Sequence, residues 1–219
     1  MIHMLRALIR FDKPRPAARP GALQAVYDAA ATSWQDGITK LGFDRAYADL
    51  MQAVPHRQPP AARVLDVGTG TGAFARAWID AQGRPDQLTL TDLSNPMLTA
   101  ASRRLAPCRA VQAPIGADLS DVPAQDVLLC AHVIEHLDAP QAALSWLHDR
   151  LAPGGTLILA LSKPHWCTAL VRWRWGNAAF TPAQATAMLR HAGFTQITTH
   201  PFPGGPPSRV SHGYIARRP

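Results

Sequence analysis

With 219 residues, 47% of them hydrophobic, the chain is sized for one α/β domain with an extension and can bury a full core. No stretch approaches the roughly 20 uninterrupted apolar residues of a membrane span. The three cysteines (Cys108, Cys130, Cys167) are far apart and lack ligand spacing, which argues against a zinc site or a disulfide framework and for a reducing compartment, the cytoplasm. A net charge of +7 suggests acidic partners, either nucleic acid, an anionic membrane surface or a small anion, although the arginines are scattered and form no block.

In chain order, residues 1–20 read as a basic, proline-rich tail, with no apolar core long enough for a secretory signal. Residues 21–60 read as a helical lid that breaks at Val54-Pro55; Tyr27 and Trp34, seven apart, share one helical face. The main domain, 61–219, opens on Val64-Leu65-Asp66-Val67, a short buried strand, and then Gly68-Thr69-Gly70-Thr71-Gly72. Glycine at every second position suits a turn that needs positive φ and a ligand close to the backbone. A helix over 73–81 follows, with Phe74, Ala77, Trp78 and Ala81 on one face. Strand 88–91 ends in Asp92, twenty residues after Gly72, where a carboxylate can hydrogen-bond a ribose diol.

Ser94-Asn95-Pro96-Met97 is a helix start with a polar cap and a first-turn proline; Met97, Leu98, Ala101 and Leu105 form its buried face. A third strand is expected near 109–113 and a fourth at 126–130, running into Ala131-His132-Val133-Ile134-Glu135-His136-Leu137. Helix 141–151 ends at Ala152-Pro153-Gly154-Gly155, before strand 156–161. Thr181-Pro182 opens a helix closed by Gly193, strand 194–199 follows, and a proline-glycine spacer leads to a last strand at 211–217.

The glycine spacing departs from the dinucleotide fingerprint G-x-G-x-x-G, and Asp66 inside the motif would repel a pyrophosphate. It suits a cationic ligand without phosphate. With Asp66, the glycines, Asp92 and the Pro-Gly-Gly turn in this order, residues 60–219 resemble the class I S-adenosylmethionine (SAM) dependent methyltransferases. The resemblance implies a Rossmann-like seven-stranded α/β fold: a mostly parallel sheet with an antiparallel last strand, helices on both faces and a helical N-terminal lid. It also implies SAM as cofactor and S-adenosylhomocysteine (SAH) as product. On the matching positions, Asp66, Gly68, Thr69, Gly70 and Gly72 would form the cofactor loop, and Asp92, Leu93 and Met97 would flank the adenosine. Ala131 and His132 would face its methionine end, and Tyr27 would close over it. Where the family has an adenine-contacting Asp, this chain has Pro114-Ile115-Gly116, so either backbone near Ile115 or Asp118 fills that role. Glu135 and His136 are assigned to capping or packing, because the segment lacks a further ligand and the apolar helical setting of a zinc site.

Transfer of a methyl group from a sulfonium chiefly needs the nucleophile held in line, and a base only when that nucleophile loses a proton. Acceptor contacts are expected on the insert after strand five, 162–175, and on the lid. Ser162-Lys163-Pro164 is similar to a feature of the quinone C-methyltransferases, His165 is the candidate base, and Trp166, Trp173 and Trp175 with Arg172 and Arg174 form either a pocket wall or a packed amphipathic helix. The reading is a methyltransferase for a small molecule, either a metabolite or a lipid- or quinone-like acceptor, with peripheral contact to an anionic membrane allowed by the charge. Two alternatives stay open. One is a SAM-binding regulator without catalysis. The other is an RNA methyltransferase, although no RNA-binding module or Asn-Pro-Pro-Tyr motif is present.

Overall fold

The structure, a computed structural model, describes Asp28 and residues 35–55, 62–165 and 178–219. Its strands are β1 (Arg63–Val67), β2 (Gln87–Asp92), β3 (Arg109–Gln112), β4 (Gln125–Ala131), β5 (Leu151–Ser162), β6 (Thr195–Pro201) and β7 (Ser211–Arg217). Its helices include α1 (Phe43–Gln52), α2 (Ala73–Gln82), α3 (Asn95–Leu105), α4 (Pro140–Arg150), α5 (Pro182–His191) and α6 (Gly205–Val210). The strands form one sheet in the order β3-β2-β1-β4-β5-β7-β6. The ladders from β3 through β5 are parallel, whereas β7 runs antiparallel to both β5 and β6. This is the Rossmann-like sheet that the resemblance implies.

Parallel strands covered on both faces read as unbroken apolar runs, because side chains alternate between two cores. Val64, Leu88, Leu90, Val127, Leu129, Ile158 and Ala160 join the core under α1, α2 and α3. Leu65, Val67, Leu128, Cys130, Leu157, Leu159 and Leu161 join the core under α4 and α5. Because the sheet is covered on both sides, only the ends of its strands are left for chemistry.

Residues 35–41 are helical, Gly42 breaks the helix in a left-handed conformation (φ 83°), and α1 follows. α1 is part of the sheet's own covering layer: Leu50 and Met51 are fully buried, and Gln82 Nε2 donates to the carbonyls of Met51 and Val54. A Cβ on Gly213 of β7 would lie 2.7 Å from Leu50, so glycine lets that helix approach the sheet.

Two elements differ from the sequence reading. α4 stops at Arg150, and β5 begins at Leu151, running through the Pro-Gly-Gly segment. The Gly154 N–H donates to the Arg218 carbonyl at 3.0 Å, and the Arg218 N–H donates to the Gly155 carbonyl at 2.9 Å. That distant pairing draws the turn into the strand. Residues 205–210, expected as a spacer, form α6, with a proline in its first turn where no N–H is required. Among the described residues, no helix is long and apolar enough to cross a membrane.

Candidate functional site

β1 ends beside β4, with Val67 paired to Cys130, and the glycine loop leaves the sheet at that point. Gly68, Gly70 and Gly72 all have positive φ (66°, 53° and 82°). At Gly68 a Cβ would lie 2.3 Å from Val133, and at Gly72 a Cβ would lie 2.7 Å from Leu105. Glycine is therefore required twice over, by conformation and by space. Thr69 Oγ1 donates to Asp66 Oδ2 at 2.7 Å. Asp66 is almost fully buried. Burial pushes its carboxyl up to about 7 against the Thr69 hydrogen bond, with the Asp92 charge adding to the rise.

Asp92, at the tip of β2, braces the same loop. Its Oδ2 accepts from the Gly70 N–H and its Oδ1 from the Ser94 N–H, both at 2.8 Å. Burial raises its pKa, the N–H groups of Ser94, Gly70 and Leu93 oppose that, and the Asp28 charge adds to it. Ser94 caps α3 by accepting from the Met97 N–H, and its own hydroxyl donates to Asp28 Oδ1. Thr71 Oγ1 donates to Gln35 Oε1 at 2.8 Å. Asp28 and Gln35 thus tie the N-terminal segment to the loop and to the start of α3.

A second polar cluster lies at the end of β4. His132 has a left-handed backbone (φ 58°), a conformation that costs a non-glycine residue on the order of 1–3 kcal/mol. Its N–H still bonds the Ala160 carbonyl at 2.9 Å. Its Nδ1 lies 2.9 Å from Glu135 Oε1, which also accepts from the Ser162 hydroxyl (2.7 Å) and the Ser162 N–H (3.1 Å). Burial would raise the Glu135 carboxyl, but the hydrogen bond and charge of His132, with the charge of His136, hold it down at about 2. The imidazole packs edge-on to Phe43 (5.3 Å between centroids) and beside Tyr47. Its Nε2 is buried and has no hydrogen-bond partner among the described residues.

A methyltransferase domain model matches residues 65–157. The chain is 30% identical over 202 residues to the malonyl-[acyl-carrier protein] O-methyltransferase of Alcanivorax borkumensis, spanning 82% of this chain and 66% of that one. It is 26% identical over 152 residues to a ubiquinone/menaquinone biosynthesis C-methyltransferase of Neisseria meningitidis, spanning 66% of this chain and 62% of the relative's own length. The chain belongs to the class I SAM-dependent methyltransferases. In fold it resembles the Burkholderia thailandensis 1,6-didemethyltoxoflavin-N1-methyltransferase, solved with 1,6-didemethyltoxoflavin and SAH. The TM-score is 0.69 at 21% identity, over 94% of this chain and 93% of that one.

In this chain the expected cofactor residues Asp66, Gly68, Thr69, Gly70, Gly72, Asp92, Leu93, Ala131 and His132 lie on the loop or at the carboxyl ends of β1, β2 and β4. Met97 is buried in the first turn of α3. Pro114 and Ile115 follow β3, tied to the tip of β2 by the Ala113 N–H bond to the Asp92 carbonyl. Asp118 is exposed and accepts from the Ser120 N–H, so it serves its own turn. Tyr27, Trp34, Trp166, Cys167 and residues 172–175 lie outside the described residues. His165, half-buried, follows β5. Lys163, on the segment expected to contact the acceptor, donates to the Ser208 carbonyl (2.7 Å) and sits 2.9 Å from His212 Nε2. Burial and the Lys163 charge lower the His212 pKa.

Sequence reasoning missed Gln35 and the cluster of Glu135 with Ser162. The His-x-x-Glu spacing of His132 and Glu135 was the available signal, but it becomes a pair only when Ile134–His136 turns tightly as a 3-10 helix.

Proposed function

We propose that this chain binds SAM and transfers its methyl group to a small-molecule acceptor with an aromatic or otherwise apolar body, of metabolite or quinone-like type. The observation that carries the reading is the group of buried or half-buried carboxylates around the glycine loop, Asp28, Asp66 and Asp92, in a chain whose net charge is +7. Such a site disfavours phosphate and favours a cation, and SAM brings a sulfonium and an ammonium to it. The glycines take the positive φ of the loop without strain and let it pack closely on Val133 and Leu105.

On this reading Asp66 and the loop residues Gly68, Thr69, Gly70 and Gly72 hold the cofactor's methionine end, with Ala131 and His132 across from them. Asp92 takes the ribose diol. Leu93, Met97, Pro114 and Ile115 enclose the adenine, recognised through backbone since Asp118 is engaged elsewhere, and Tyr27 closes over the site. His165 lies on the acceptor side as a candidate base. SAM supplies an activated methyl, and the residues contribute positioning, which can account for much of the rate. The relatives' names, one for carbon and one for oxygen methylation, support a non-nucleic-acid acceptor. The cysteine pattern supports a cytoplasmic site of action.

Calorimetry with SAM, SAH and NADH tests the cofactor. Heat from SAM and SAH with none from NADH is expected, and tight NADH binding with no SAM signal overturns the reading. Incubation with methyl-labelled SAM and cell extract then identifies the acceptor by the labelled product.

A further inference from the structure

The His132–Glu135 pair has more structure than a cofactor contact needs. Glu135 Oε1 gathers three contacts, from His132 Nδ1, the Ser162 hydroxyl and the Ser162 N–H. Its backbone carbonyl also accepts from the Ala178 N–H at 2.8 Å. An ionised carboxylate can only accept, so Nδ1 must carry a proton, and a neutral ring then presents its lone pair at Nε2. Among the described residues that atom, like Glu135 Oε2, is buried without a partner, in a ring packed against Phe43 and Tyr47. The pair also borders the cofactor loop, since Val133, the next residue, is the one a Gly68 side chain would strike.

We infer that His132, oriented by Glu135, accepts through Nε2 the proton that the acceptor loses on methylation, so that the acceptor is a hydroxyl, amine or acidic carbon bearing a removable proton. This rests on the methyltransferase reading and assigns the base to His132 where sequence reasoning pointed to His165. In the step, the acceptor atom forms a bond to the methyl carbon while the carbon–sulfur bond breaks, leaving its electron pair on sulfur as the thioether of SAH. The acceptor's proton passes to Nε2. Positive charge therefore moves from the sulfonium to an imidazolium lying 2.9 Å from a carboxylate, and water later removes the proton. Glu135 is a positioning residue that also stabilises this charge, the arrangement by which a carboxylate supports a histidine base.

The test uses the full chain. Calorimetry with SAH on the wild type comes first, because a chain that takes up no SAH overturns the methyltransferase reading and this proposal together. In a chain that binds SAH, nitrogen NMR of the His132 ring should show the proton on Nδ1 and a bare Nε2. A proton on Nε2 sinks the proposal and leaves cofactor binding intact. With methyl-labelled SAM and catechol, His132→Ala should slow transfer about 10²- to 10⁴-fold, far more than it weakens SAH binding, and added imidazole should restore part of the rate. Glu135→Gln should move the acid limb of the kcat–pH profile to lower pH, since the imidazolium has lost its carboxylate. Full activity in His132→Ala, or equal losses of rate and SAH affinity, would show that His132 is not the base.

Discussion

At the residue scale Asp92 carries two tasks on one carboxylate. It stands where a ribose diol is expected, yet both its oxygens already hold backbone N–H groups, of Gly70 and of Ser94. Hydrogen bonds to a charged group are worth about 1.5–3 kcal/mol each. Asp92→Ala should therefore weaken SAM binding at least tenfold, about 1.4 kcal/mol, and also lower the melting temperature of the ligand-free protein. A melt identical to wild type would mean that the carboxylate does not brace the loop. Asp66 presents the opposite balance. Its folded carboxyl, raised from 3.8 to about 7, holds its proton more tightly than the unfolded chain does, so its contribution to stability falls as pH rises through that window. Asp66→Asn mimics the protonated form. It should melt higher than wild type at pH 8, match it near pH 4, and bind SAM less well, a stability gain made at the expense of function. Scanning calorimetry at the two pH values checks the first part and titration with SAM the second.

At the element scale the glycine loop is fixed by what surrounds it. Gly72 sits at φ 82° with Leu105 and Ala101 of α3 against the space a side chain would fill. Gly72→Ala combines left-handed strain of about 1–2 kcal/mol with overpacking of about 1–3 kcal/mol. It should lower stability by roughly 2–5 kcal/mol, read by urea denaturation, and added SAM should recover little of it. The helical segment 35–41 is tied to the loop by the Gln35–Thr71 hydrogen bond. Thr71→Val removes it while keeping the shape, at a cost of about 1 kcal/mol. If that segment helps retain the cofactor, SAM should leave about fivefold faster in stopped-flow displacement; an unchanged rate would mean it does not gate release.

Across the whole molecule the two buried acids set opposite limits on pH. Glu135, held at about 2 against an ordinary 4.5, contributes stability that is present above 4.5 and lost as pH falls toward 2. Asp66 costs stability progressively up to about 7. The ligand-free protein should melt highest in mildly acidic buffer, and a maximum at pH 8 would show that neither group is linked to folding in this way. Charge makes a further prediction: with acidic groups gathered at the loop, the excess behind the net +7 lies elsewhere on the chain. Flotation with anionic vesicles should show binding that fades with salt. The sheet was legible in the sequence because a strand buried on both faces needs a continuous apolar run, as Val127 to Cys130 shows. The loop was legible because few residue types survive at φ 66° and 82°. What was not legible depended on distant partners. Arg218 pulls Gly154 and Gly155 into β5, and Ser162 reaches Glu135 from 27 residues further along the chain. Neither pairing leaves a periodic mark on the chain.

The place of β7 has a consequence for the order of synthesis. It lies between β5 and β6, yet it leaves the ribosome after both. Until it emerges, β5 presents an unpaired edge and β6 has no neighbour in the sheet. An apolar edge left open in this way is a template for pairing with another chain. A nascent chain stalled before residue 211 should therefore be captured by chaperones or aggregate, even though every residue of the glycine loop and of the His132–Glu135 pair has already been made.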